Sequence, residues 1–174
     1  MATTPQLPAK THYRDKYHLQ MLSSPENFWL YGYLGALGVK SVFEFGCNAG
    51  RHLKRLESQG IEIAGMDINP RAVAAAGLIN KIDVRLGDEQ SLAKVKAGAY
   101  DAVFTVSVLS HIQDIRETLK HLRRIAKRHV LLVETRTRVD ANNYWWQHDY
   151  PGDMVYSYFG QQVNAVYQIW HVRK

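Results

Sequence analysis

Short apolar runs alternate with stretches of helical spacing through most of this chain. Runs typical of buried strands lie at 41–45, 61–66, 82–86, 100–109 and 129–135. The stretch from Ile112 to Ile125 instead places apolar residues at intervals of three and four, which is the pattern of an amphipathic helix. This repeated order of strand and helix predicts a mostly parallel sheet with helices on both faces.

The N-terminal part of the chain has helical patterning only. Residues 28–37 carry an apolar face that Gly38 ends, and a short helix is predicted over 13–21. Residues 1–38 are therefore predicted to form a helical lead before the first strand. Since no linker or internal repeat interrupts the pattern, we expect residues 1–174 to form a single domain.

The pattern is less regular at the C-terminal end. Residues 136–174 are predicted to form a loop, a helix over 150–159 and one edge strand over 163–172. The sheet is therefore expected to have a compact or truncated C-terminal edge.

A turn of small residues follows the first predicted strand. Gly46, Asn48 and Gly50 stand there at alternate positions, and a helical pattern begins at Arg51. Such a turn lets the backbone approach a polar ligand, and the free N–H groups at the start of the helix point at it. Asp67 ends the second predicted strand, where a carboxylate can accept hydrogen bonds from both hydroxyls of a ribose. The third glycine of a dinucleotide site is missing, so the spacing disfavours a dinucleotide.

The segment 44–50, EFGCNAG, resembles the first motif of the class I (Rossmann-like) S-adenosylmethionine (SAM)-dependent methyltransferases, in which G-x-G-x-G follows an acidic residue. Asn48 replaces the middle glycine, and asparagine tolerates the left-handed backbone better than most residues. The resemblance covers about residues 41–135 and implies a Rossmann-like fold with S-adenosyl-L-methionine as cofactor. It implies cofactor contacts at Glu44, Gly46, Cys47, Asn48, Gly50, Asp67, Ile68, Asp88, Glu89 and Ser107.

The resembled family usually ends in an antiparallel hairpin at the edge of the sheet, so the resemblance also implies an antiparallel final strand. The alternative to the predicted helix and single strand is that this hairpin is compressed into 154–172.

Asp88 follows the third predicted strand. In the resembled family an acidic residue at this place commonly accepts a hydrogen bond from the adenine amino group. The alternative is that Asp88 caps a helix predicted to begin near residue 89, and both roles can coexist.

The methyl acceptor should lie beyond the fourth strand, by the same resemblance. His111 follows that strand and is a candidate general base, the alternative being a cap or a wall of the pocket. His148 is a second catalytic candidate. Tyr13, Tyr17 and Trp146 are candidates for contact with the substrate, since the N-terminal lead and the aromatic C-terminal loop can both reach this edge. The alternative for Tyr13 and Tyr17 is that they pack on the edge of the sheet.

The C-terminal segment 144–154, YWWQHDYPGDM, has a shorter similarity to methylases associated with pseudaminic acid biosynthesis. This similarity implies a sugar acceptor. The aromatic rings of Trp145, Trp146 and Tyr150 can stack on a sugar or an aromatic ring, or they can form core under a long loop.

The formal net charge of +6 raises the question of a nucleic-acid partner. Much of the excess falls on one predicted helix and its end, at Lys120, Arg123, Arg124, Lys127 and Arg128. Because the other face of that helix is apolar, a solvated outer face is the preferred interpretation. We therefore expect no nucleic-acid partner.

Cys47 is the only cysteine, which excludes an internal disulfide and is compatible with a reducing compartment. The first ten residues have no apolar signal core, and no apolar run approaches the length of a membrane span, so a cytoplasmic protein is expected. Asp114 is the only carboxylate near the exit of the fourth strand, so no metal is expected.

The sequence thus predicts SAM-dependent methyl transfer to a small molecule, such as a sugar or another metabolite. One alternative is an RNA or protein methyltransferase, which the basic charge suggests. The other is a non-catalytic SAM-binding protein, because a complete cofactor motif says little about catalysis.

Overall fold

The computed structural model describes residues 28–138, 146–160 and 165–173. The helix predicted over 13–21 and the predicted substrate contacts Tyr13 and Tyr17 lie outside the described residues, as does Trp145. The first part of the N-terminal lead therefore stays a prediction.

Helices and strands alternate along the described residues, as the apolar pattern predicts. The helices are α1 (Phe28–Ala36), α2 (Arg51–Glu57), α3 (Pro70–Ala75), which continues as a π-helical turn (Ala76–Asn80), and α4 (Arg116–Ile125). The strands are β1 (Ser41–Phe45), β2 (Glu62–Asp67), β3 (Arg85–Leu86), β4 (Tyr100–Val106), β5 (Ala126–Arg138), β6 (Asp153–Gly160) and β7 (Ala165–Arg173). Short 3₁₀ helices lie at Ser91–Lys94 and Leu109–His111. None of the helices in the described ranges is long and apolar enough to cross a membrane.

The strands of the described residues form one sheet in the order β3-β2-β1-β4-β5-β7-β6. The pairs from β3 to β5 are parallel, and β7 pairs antiparallel with both β5 and β6. This order confirms the predicted fold class. Because β1, β2 and β4 are parallel neighbours, their carboxyl ends meet at one edge, where ligands of such sheets bind.

Apolar side chains cover both faces of the sheet. Leu30 and Leu34 of α1 and Leu53 and Leu56 of α2 are fully buried on one face. On the other face α4 and the 3₁₀ helices bury Leu92, Leu109, Leu122 and Ile125 against Phe43, Val103 and Leu132. Each fully buried leucine stabilises the fold by roughly 1.5–3 kcal/mol, so both helical layers hold the carboxyl edge of the sheet in place.

The C-terminal hairpin corrects one prediction. The helix predicted over 150–159 is wrong, and β6 occupies most of that range. β6 pairs with β7 from Asp153 opposite His171 to Gly160 opposite Ala165, so the compressed-hairpin alternative describes this part of the chain. This segment is a strand because it pairs with β7. That pairing supplies the backbone hydrogen bonds that a helix would make within the segment itself. The edge strand is β6, and the final strand β7 lies inside the sheet.

Smaller differences concern element lengths. The helix predicted near residue 89 is a single 3₁₀ helix at Ser91–Lys94, and the third strand is paired only at Arg85–Leu86. β5 begins directly after α4 and runs to Arg138, beyond the predicted end at residue 135. At this extended end, Thr137 and Arg138 pair with β7 rather than with β4.

Candidate functional site

The turn between β1 and α2 has the conformation that its small residues permit. Gly46, Asn48 and Gly50 have φ values of 76°, 50° and 74°, in the left-handed region. The Asn48 side-chain oxygen accepts a hydrogen bond from the N–H of Ala49 at 2.7 Å. This local bond offsets the cost of a left-handed asparagine where the family motif has glycine.

Backbone hydrogen bonds fasten this turn to the end of β2. The N–H groups of Gly46 and Cys47 donate to the carbonyl oxygen of Met66 at 2.8 and 3.1 Å. Cys47 is buried, and a Cβ atom on Gly65 of β2 would lie only 2.9 Å from its sulfur. Burial raises the pKa of the Cys47 thiol well above its usual value, so the side chain is a small filler rather than a nucleophile.

The Asp67 carboxylate joins the turn to the start of α3. One of its oxygens accepts from the N–H of Asn48 at 2.7 Å, and the other accepts from the N–H of Asn69 at 2.8 Å. Burial raises the pKa of Asp67, while the hydrogen bonds from Asn69, Asn48 and Ile68 oppose the increase. A carboxylate has about four acceptor positions, so these three hydrogen bonds leave Asp67 about one position for a ligand.

Glu44 lies beneath the turn and is almost completely buried. Its Oε2 atom has no hydrogen-bond partner among the described residues. Burial raises the pKa of Glu44 well above its usual value, the nearby Arg51 lowers it, and Asp67 raises it. A buried polar atom without a partner is costly, and a donor on a bound ligand would remove that cost.

Asp88 has the capping role considered above. Its Oδ1 atom accepts from the N–H of Ser91 at 3.1 Å and from the Ser91 hydroxyl at 2.9 Å. A contact from Asp88 to adenine stays a prediction. Ile68, Asp88 and Glu89 are half-buried after β2 and β3, and their positions leave them accessible to a ligand at the carboxyl edge.

The loop after β4 begins with Ser107, which has a φ of 56° although it is not glycine. The N–H of Ser107 donates to the carbonyl oxygen of Val133 at 2.8 Å. Val108 lies so close to Gly46 that a Cβ atom added there would stand 2.3 Å from a methyl carbon of Val108. The β4 exit loop and the β1 exit turn are therefore in direct contact.

Glu134 of β5 was not identified by any sequence motif. It is fully buried, and its carboxyl accepts hydrogen bonds from the Thr105 hydroxyl and from the N–H groups of Val108 and Leu109. Burial raises the pKa of Glu134 to about 7 against the opposing hydrogen bonds. The sequence signal for this residue is a carboxylate that directly follows the apolar run VLLV at 130–133.

The aromatic segment 146–150 packs on the same loop. The N–H of Trp146 donates to the Ser110 carbonyl at 2.7 Å. The His148 Nε2–H donates to the carbonyls of Leu109 and Ile112 at 3.1 and 2.9 Å, since both partners are acceptors. This nitrogen therefore holds the loop, and only Nδ1 is left for proton transfer. The structure thus brings Trp146, His148 and the half-buried His111 together.

Most cations of the basic stretch have partners within the protein. Lys120 pairs with Glu117 at 3.1 Å, and Arg124 donates to the Leu92 carbonyl at 2.8 Å. Lys127 and Arg128 lie 3.2 and 3.9 Å from Asp101. These contacts support a solvated structural surface on α4. Within the described ranges, no three His, Cys, Asp or Glu side chains form a group that could hold a metal ion, and metal independence stays a prediction.

A turn after β1 with left-handed glycines, an acidic residue ending β2 and an antiparallel β7 define a protein of the class I methyltransferase fold. A family model described as "Methyltransferase domain" matches residues 16–168. The chain therefore belongs to this methyltransferase family, which confirms the family that the motif at 44–50 predicts.

The chain is also similar to curated proteins named ubiquinone biosynthesis O-methyltransferase. The Nitrosomonas europaea protein is 26% identical over 99 residues, which are 54% of this chain and 42% of that protein. The Bordetella pertussis protein is 26% identical over 104 residues, 57% of this chain and 43% of that protein. The chain spans less than half the length of these curated relatives.

Solved structures show the same fold. Magnesium protoporphyrin IX methyltransferase from Synechocystis PCC 6803, solved with bound SAM, has a TM-score of 0.69 at 19% identity and covers 99% of this chain and 100% of that one. A SAM-dependent methyltransferase from Archaeoglobus fulgidus has a TM-score of 0.52 at 21% identity over 63% of this chain and 53% of that one. At these identities the likeness establishes the fold.

Proposed function

We propose that the protein is an enzyme that transfers a methyl group from SAM to a small-molecule acceptor. The observation that carries this proposal is the Asp67 carboxylate, which joins the left-handed turn at Asn48 to the start of α3 at Asn69. Its remaining acceptor position suits a hydroxyl group of a ribose. The names of the curated relatives and of the Synechocystis structure support a small-molecule acceptor.

The residues at this edge fit the proposed cofactor. The Glu44 Oε2 atom, which no donor of the described residues contacts, suits a charged donor such as an ammonium group, and the turn at Gly46 allows a ligand to approach the backbone. When bound, SAM supplies a methyl group that is already activated, because its positive sulfur leaves as a neutral thioether. The protein's main task is then to hold the acceptor close and aligned.

The proposed acceptor site lies at the junction of the β4 exit loop and segment 146–150. His111 stands in that loop and is the proposed general base if the acceptor must lose a proton to react. Trp146 supplies an aromatic surface there. His148 contributes by holding the loop through Nε2. A sugar acceptor, which the C-terminal similarity implies, is one member of the proposed small-molecule class.

Titration calorimetry with SAM, S-adenosylhomocysteine (SAH) and NAD tests the cofactor assignment. We expect SAM and SAH to bind and NAD not to bind, because the turn lacks the glycine that makes room for a pyrophosphate. Tight binding of NAD together with no binding of SAM or SAH would refute the proposal.

A nucleic-acid substrate is tested through the basic surface of α4. We expect binding of a single-stranded RNA oligonucleotide to be weak, and an Arg123→Gln variant to keep wild-type SAH affinity. Each phosphate neutralised on single-stranded RNA contributes about −0.7 to the log–log salt slope. Micromolar RNA affinity with a steep slope that Arg123→Gln flattens would instead favour an RNA methyltransferase.

A further inference from the structure

Glu134 is a buried acid whose role the proposed cofactor and acceptor contacts do not explain. It lies on β5, beside Thr105 of β4, and has no solvent exposure. Its Oε1 atom accepts from the Thr105 hydroxyl at 2.7 Å and from the N–H of Leu109 at 3.1 Å. The N–H of Val108 is shared between the two carboxyl oxygens at 3.2 and 3.1 Å.

These partners are hydrogen-bond donors rather than cations. The influences on the pKa of Glu134 are burial and hydrogen bonds from Thr105, Leu109, Val108 and Ser110. Burying a carboxyl group without a cation is costly, and an apolar residue would avoid that cost. What the carboxyl group provides is a set of acceptors for a loop whose N–H groups have left the sheet.

The loop held in this way is the one that touches the cofactor turn. Val108 donates its N–H to the Glu134 carboxyl group, and its side chain packs against Gly46. Leu109, the next residue, uses its carbonyl oxygen to accept from His148. Glu134 therefore lies at the point where the β1 turn, the β4 exit loop and segment 146–150 are joined.

We propose that Glu134 is a positioning residue, which fixes the β4 exit loop by its carboxyl group and thereby holds Val108 against Gly46 in the geometry that binds the cofactor. This inference rests on the proposed SAM-binding function. It assigns Glu134 no contact with the cofactor or the acceptor. It predicts that loss of the carboxyl group lowers cofactor affinity in a protein that is still folded.

The test compares Glu134→Ala and Glu134→Gln with a control on the same strand and the same face, Val130→Ala. Val130 is buried and lies opposite Val103 of β4. Its apolar side chain accepts no hydrogen bond, so its truncation lowers stability without removing an acceptor for the N–H groups of the β4 exit loop. SAH affinity is measured by calorimetry at a temperature where circular dichroism shows each variant to be folded. Hydrogen exchange of the Val108 and Leu109 amides reports directly on the loop.

We expect SAH affinity to fall about tenfold or more in Glu134→Ala, and about threefold or more in Glu134→Gln, which retains one acceptor oxygen. Exchange at Val108 and Leu109 should accelerate in the same order. Val130→Ala should bind SAH within about twofold of wild type despite its lower melting temperature. If Glu134→Ala does not fold, Glu134→Gln decides the test, and a fall in SAH affinity of about threefold or more supports the inference.

If the folded Glu134 variants bind SAH with wild-type affinity, the inference about Glu134 is wrong, because Glu134 would then only stabilise the fold. The proposed SAM-binding function would be unaffected by that result. Failure of the wild-type protein to bind SAM or SAH would overturn the proposed function as well. The two failures are therefore distinguished by the wild-type titration.

Discussion

Asp67→Ala should lower SAH affinity by about tenfold or more, as measured by titration calorimetry. A hydrogen bond from a ligand hydroxyl to a charged carboxylate contributes roughly 1.5–3 kcal/mol, which corresponds to at least this factor. The substitution also removes the acceptor of the Asn48 and Asn69 N–H groups. The turn then loses the contact that orders it before the ligand binds.

Asp83→Ala is the control for this prediction. Asp83 is an exposed carboxylate in the segment before β3, so its removal changes the net charge by the same amount without touching the turn. We expect it to keep SAH affinity within about twofold, since exposed charges at a distance are screened. Equal effects of both variants would mean that Asp67 acts through charge alone and does not contact the ribose.

Gly46→Ala should also lower SAH affinity by about 100-fold or more, through the shape of the turn. The added Cβ atom would stand 2.3 Å from a methyl carbon of Val108, well inside van der Waals contact. Val108 cannot move away freely, because Glu134 holds its N–H. The turn or the β4 exit loop must therefore shift, and either shift changes the cofactor site.

Gly60→Ala is the control that separates the clash with Val108 from the strain of a left-handed backbone. Gly60 has a φ of 78°, close to the 76° of Gly46. A Cβ atom at Gly60 meets nothing within 4 Å. Both variants should lose roughly 1–2 kcal/mol of stability from the left-handed conformation, and melting curves will show it. Only Gly46→Ala should lose SAH affinity. Equal losses of SAH affinity in the two variants would show that the clash with Val108 is not the cause.

The sequence alone was sufficient for the features that depend on neighbours along the chain. The left-handed turn at Gly46 and Gly50 follows from residues that adopt positive φ at little cost. The amphipathic helix α4 follows from apolar spacing, and Asp67 ends β2 because the apolar run stops there. The same apolar pattern predicted a mostly parallel sheet, and the resemblance of the motif at 44–50 implied the methyltransferase family.

Tertiary structure decided the features that depend on contacts distant in sequence. β6 is a strand because β7 pairs with it, although its local pattern allowed a helix. Glu134 could not be assigned from sequence, since its partners Thr105, Val108 and Leu109 lie 25 to 29 residues away. His148 was predicted as a catalytic candidate, and its two carbonyl partners emerge only when segment 146–150 packs on the loop. Local conformation follows from neighbouring residues, whereas burial and hydrogen-bond partners depend on which distant segments the fold brings together.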